Sequence, residues 1–120
     1  MKLVIRAAIA LALAGALVAC SGSATPSPVA QKVSVEGTEF AFTPSTLEAK
    51  AGGALEITLV NKGTLEHDIS IDALGVKLLV PVGQTLAVTT EKPVPAGTYD
   101  FYCAVAGHKE AGMVGTLTVK

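Results

Sequence analysis

YCAVAGHKEAGMVGTLTVK, residues 102–120, sets Cys103, His108 and Met113 at five-residue intervals ahead of an alternating run that ends in Leu117 and Val119. Followed backwards from Cys103, the same parity takes in Phe101 and Tyr99. The segment therefore reads as two half-buried strands joined by a loop. Soft sulfur and imidazole are metal donors, and they crowd this loop in a chain with only two Cys, two His and two Met.

Upstream, the apolar residues keep alternating. Val33 and Val35 do so, then Phe40 and Phe42, then Leu55, Ile57 and Leu59 in ALEITLVN, then Ile69 and Ile71, then Leu86 and Val88. Turn chemistry separates these runs at Gly52-Gly53, Asn61-Lys62-Gly63, Pro81 to Gly83 and Pro95-Ala96-Gly97. Seven to eight short strands at this spacing predict an all-β sandwich or barrel with Greek-key connections. Residues 72–80, DALGVKLLV, read equally as an edge strand or a loop.

The first residues follow a different rule. Lys2 and Arg6 supply a positive region ahead of an apolar run at residues 7–19 that suits a signal-peptide core and is too short to span a bilayer. LVAC, residues 17–20, resembles a bacterial lipobox, in which the cysteine is lipidated and becomes the first mature residue. An ordinary secretory peptide cut slightly later is the alternative. The expected organisation is a lipoprotein signal at 1–19, a lipidated Cys20 with a flexible linker at 20–31, and one domain at 32–120. Such a protein is exported and held at the periplasmic or outer face of a membrane. Loss of Lys2 and Arg6 leaves seven lysines against ten acids, a net charge of −3. With no basic patch there is no basis for nucleic-acid binding, and a monomer is expected.

Parity also places the donors. Cys103 shares a face with Tyr99 and Phe101, and His67 with Ile69 and Ile71, so both point towards the core from strand ends. Met113 shares parity with Leu117 and Val119, and His108 lies in the loop between. Singly, each has an ordinary reading as core filler or loop residue. Together they are all the thiol, imidazole and thioether that remain once Cys20 is lipidated and the signal is gone. One free cysteine excludes an internal disulfide, a four-cysteine zinc site and a thiolate-bridged dinuclear copper centre. Two His and one Cys with a weak axial Met form the set of a mononuclear blue-copper site. Zinc rarely recruits a thioether, and divalent copper binds such donors more tightly than its first-row competitors.

The same segments carry a family resemblance. AGMVGTLTV, residues 111–119, is similar to the plastocyanin ending, and the five-residue steps from Cys103 to His108 to Met113 most resemble auracyanins. VNKGTLEHDISI resembles the first-ligand segment of the plastocyanin/azurin (cupredoxin) family, with His67 as the ligand; PVGQT and PAGTYDFYC share the family's look. Ala106, Ala104 and Glu66 depart from common family residues at their positions. The resemblance implies one Cu(I)/Cu(II) ion held by His67, Cys103, His108 and Met113, and a one-electron carrier between redox proteins rather than an enzyme. A copper storage or delivery module is the alternative. His108 is the expected electron exit, its ring edge in solvent within a small docking patch of Val105, Ala106, Ala111 and Gly112. Asp68 is expected to tie the His67 segment to the Cys103–His108 loop, and the Ala106 amide to reach the Cys103 sulfur.

Overall fold

A computed structural model describes residues 31–120. The expected signal peptide, Cys20 and nearly all of the linker lie outside them. The alternating runs become β1 (Gln31–Thr38), β2 (Ala41–Thr43), β3 (Thr46–Ala49), β4 (Leu55–Asn61), β5 (His67–Ile71), β6 (Val76–Val80), β7 (Thr85–Thr89), β8 (Gly97–Tyr102) and β9 (Val114–Val119), with one 3-10 turn at Asp72–Leu74. Two sheets result, ordered β2-β1-β4-β7 and β3-β9-β8-β5-β6. The chain crosses between them after β2, β3, β4, β6 and β7, as Greek-key connections require. β1 runs parallel to β4 and β3 parallel to β9, and the remaining neighbours are antiparallel.

The core forms where the inner faces meet. Ile57 and Leu59 of β4 lie opposite Ile69 and Ile71 of β5, Phe101 of β8 and Leu117 of β9, all fully buried. Each such side chain stabilises the fold by about 1.5–3 kcal/mol relative to exposure. Phe42 meets Phe101 edge-on with ring centroids 5.2 Å apart. Phe101 pairs across the ladder with Gly115, where a Cβ would run into the Phe101 ring and stand 2.7 Å from the Ser45 carbonyl. The missing side chain at residue 115 is what gives that ring its place.

Three expectations change. Among the described residues there are nine strands rather than seven to eight, the addition being β3, whose only core residue is Leu47. Residues 72–80 divide between the two readings: a 3-10 turn, then the edge strand β6. Phe40 is not a strand residue paired in parity with Phe42; it sits in the turn between β1 and β2 and is exposed.

The two poles of the sandwich differ. At one, Gln31 is latched by its side chain to Lys50, at 2.9 Å and 2.8 Å, and by its backbone to Ala54; the Lys120 carbonyl accepts from the Ala51 amide beside it. At the other, β5 begins with His67, β8 ends just before Cys103, and β9 begins just after Met113. Because β8 lies between β5 and β9, these three ends are neighbours.

Candidate metal centre

The turn leading into His67 is braced by Asn61. Its Nδ2 donates to the carbonyls of Leu65 (2.8 Å) and Val80 (3.0 Å), and its Oδ1 accepts from the Gly63 amide at 2.9 Å. The second ligand segment is closed by its own backbone: the Cys103 amide donates to the Met113 carbonyl at 3.1 Å, and the Met113 amide to the His108 carbonyl at 3.0 Å. Gly107, at φ +82°, supplies the left-handed turn that brings His108 back over Cys103.

The result joins residues that are distant in sequence. Donor atoms of His67, Cys103 and His108 all lie within 4.8 Å of one another, and all three residues are buried. Cys103 Sγ is 3.4 Å from His108 Nδ1, and the two imidazole centroids are 5.2 Å apart. Met113 is fully buried beside them: its Cε and the His67 Cβ stand 3.3 Å and 3.5 Å from the point a Cβ on Gly37 would occupy. All four expected ligands are thus at one pole.

Asp68 stands where the sequence expectation put it. Its Oδ1 accepts from the Ala104 amide at 2.9 Å and from the Ser70 hydroxyl at 2.8 Å, and its own amide donates to Cys103 Sγ at 3.3 Å. The expectation for Ala106 is corrected. The second backbone amide acting on the sulfur is that of Val105, whose carbonyl accepts from the His108 amide at 3.0 Å where the chain turns. His108 is also more enclosed than expected, at 5% exposure, with Phe40 packed edge-on against its ring at 5.0 Å between centroids. Of the expected patch, Ala106, Ala111 and Gly112 are exposed and Val105 is half-buried against the core. Phe40, 40% exposed, joins the surface around His108.

Burial sets the electrostatics. It pushes the Cys103 thiol up from its ordinary value, against the amides of Asp68 and Val105, which favour the thiolate. It pushes His67 down, opposed by the nearby Glu39 carboxylate. His67 is therefore a neutral ring at neutral pH, and both its nitrogens are buried without a hydrogen-bond partner among the described residues. An unpartnered buried polar atom costs about 1–3 kcal/mol. One facing a thiol and a second imidazole is suited to ligate a metal. Two imidazoles, a cysteine sulfur and a thioether fit copper better than zinc, which seldom takes a thioether.

Glu39, Phe40 and Asn61 contribute here without having been singled out as site residues. Asn61 carried a signal as part of the Asn-x-Gly turn. Glu39 and Phe40 carried none, because a turn 28 residues before His67 reaches the site only through the sheet.

Comparisons agree with this arrangement. Residues 8–119 match the family described as a cupredoxin-like domain. The chain is 35% identical over 114 residues to a plastocyanin of Nostoc punctiforme, covering 80% of this chain and 79% of that protein. To a plastocyanin of Prochlorothrix hollandica it is 30% identical over 118 residues, covering 90% and 85%. Auracyanin B superposes with a TM-score of 0.64 at 27% identity, over 76% of this chain and 89% of that one. By fold, by the residues gathered at one pole and by sequence, the chain belongs to the cupredoxin family.

Proposed function

We infer that the protein is a one-electron carrier built around a mononuclear type 1 copper site held by His67, Cys103, His108 and Met113. The observation that carries this reading is the convergence of three buried donors within 4.8 Å, with a fully buried methionine beside them. When bound, copper supplies a one-electron couple between its cuprous and cupric states. The chain supplies rigidity: His67 is fixed by β5, Cys103 by Asp68, and Met113 by its backbone bonds to Cys103 and His108. Four protein donors leave no position for a substrate, unlike a catalytic metal site. The carrier reading extends to export, to a lipid on Cys20 and to larger redox proteins as donor and acceptor. These would meet the surface formed by Phe40, Val105, Ala106, Ala111 and Gly112, and transient redox encounters need less than about 1,200 Å² of total interface.

Purified protein given cupric ion should turn intensely blue through thiolate-to-copper charge transfer and bleach reversibly on reduction. Cys103→Ser should stay folded and colourless. A pale complex in the wild type would favour storage or delivery, and no binding would overturn the copper reading. Cys20→Ala should leave the membrane fraction, because stable anchoring takes about two lipid signals. Continued membrane association would count against the lipobox.

A further inference from the structure

The Glu39 carboxylate occupies a position that turn formation alone does not explain. Its Oε1 accepts from the Thr64 amide (2.6 Å) and the Leu65 amide (2.9 Å), with the Thr64 hydroxyl at 3.4 Å. The same oxygen lies 3.5 Å from His67 Nε2. Gly63 crosses directly over this pair: a Cβ there would strike the carboxylate and stand 2.6 Å from Nε2. A carboxylate that only capped the turn could project into solvent. This one is 30% exposed and its oxygen faces a histidine that is fully buried.

We propose that Glu39 is the positioning residue of His67, accepting the Nε2 hydrogen so that the ring presents Nδ1 to Cys103 and His108, with a negative charge held behind it. The proposal rests on the copper reading for its effect on the metal, and on the Glu39–His67 geometry alone for the contact. Among the described residues both ring nitrogens lack any other partner, and they point in diverging directions. With Nε2 turned to Glu39 and Gly63, Nδ1 is the atom left for the other donors. The 3.5 Å separation exceeds a hydrogen bond, and a shift of about half an ångström in a flexible side chain closes it. The Thr64 amide foremost keeps the carboxyl below its ordinary range, so the group is charged at neutral pH. A carboxylate behind a ligand imidazole fixes its tautomer and strengthens it as a donor. The charge favours the cupric ion over the cuprous one.

The test begins with metal-free wild-type protein and nitrogen-15 NMR of the histidine rings. His67 should appear as the Nε2–H tautomer, and a dominant Nδ1–H form would overturn the proposal. Glu39→Gln retains an oxygen for the Thr64 and Leu65 amides and removes the charge. It should melt near wild type, keep the tautomer, and lose about tenfold in cupric relative to cuprous affinity, which is about 59 mV upward in potential for one electron. Glu39→Ala should mix the tautomers and lower cupric affinity by about 10- to 100-fold. Wild-type affinity and potential in both variants would reduce Glu39 to a turn cap. The tautomer measurement needs neither copper nor a folded variant, so failure of the carrier reading remains distinguishable from failure of this one.

Discussion

The backbone N–H of Asp68 lies 3.3 Å from Cys103 Sγ, joining residues 35 apart in sequence. The Asp68 carboxylate grips the next residue of the same loop through the Ala104 amide. His67, immediately before Asp68, therefore cannot move far without moving Cys103. Asp68→Ala keeps the amide and loses the grip. Copper affinity should fall about 10- to 100-fold in a chelator competition while the blue band persists. Stability should fall by about 1–3 kcal/mol, because the buried Ser70 hydroxyl and the partly buried Ala104 amide lose their acceptor. Unchanged affinity would mean that the carboxylate does not orient the loop.

Acidification should weaken the metal-free protein through His67. Its folded-state value lies below the ordinary 6.5, with burial the foremost cause. Between 6.5 and that lower value the unfolded chain binds more protons than the folded one. The stability present above pH 6.5 is therefore lost as pH falls through this window, with a slope of at most about 1.4 kcal/mol per unit from this one group. Urea melts from pH 7.5 downward should show the slope, and His67→Gln should flatten it. A level wild-type profile would contradict the burial argument.

Ala111 is exposed on the loop that carries His108. Ala111→Glu should retain the blue spectrum and near-native potential yet slow electron self-exchange, read by NMR line broadening, by about tenfold, equivalent to about 1.4 kcal/mol. The deficit should persist at high salt, because desolvating the new charge is not screened as long-range repulsion is. Wild-type exchange would move the electron exit away from His108.

Gly115→Ala tests the packing under Phe101. The new methyl has to displace the ring or the Ser45 carbonyl, so stability should fall by about 1–3 kcal/mol in chemical denaturation while the copper spectrum stays intact. A neutral effect would show that the ring has room to move.

Parity alone placed His67 and Cys103 on inward faces, because strand alternation is local and every second residue records it. Asp68 was legible as the neighbour of a ligand. Strand β3 was not, since Thr46–Ala49 offers a single buried residue and acquires its identity by parallel pairing with β9, some seventy residues later. Glu39 was hidden for the same reason. Its approach to His67 depends on the parallel register that sets Gly37 beside Asn61, and no local pattern encodes that pairing. The Ala106 expectation failed over a single residue, the scale at which a loop's turn geometry decides and alternation says nothing.

The latch at Gln31 has a directional consequence. Gly37, near the far end of β1, leaves space beside the Met113 methyl, which lies 3.3 Å from where a Cβ there would stand, whereas Gln31 is bound to Lys50 and Ala54. Six residues of strand separate the two, about 20 Å. Any leash attached upstream of residue 31 therefore holds the domain by its foot, with His108 and Phe40 uppermost. The same polarity serves a device: coupled to a gold electrode through an upstream thiol, the molecules would stand with their redox heads towards the solution, available to dissolved partners and remote from the metal surface beneath.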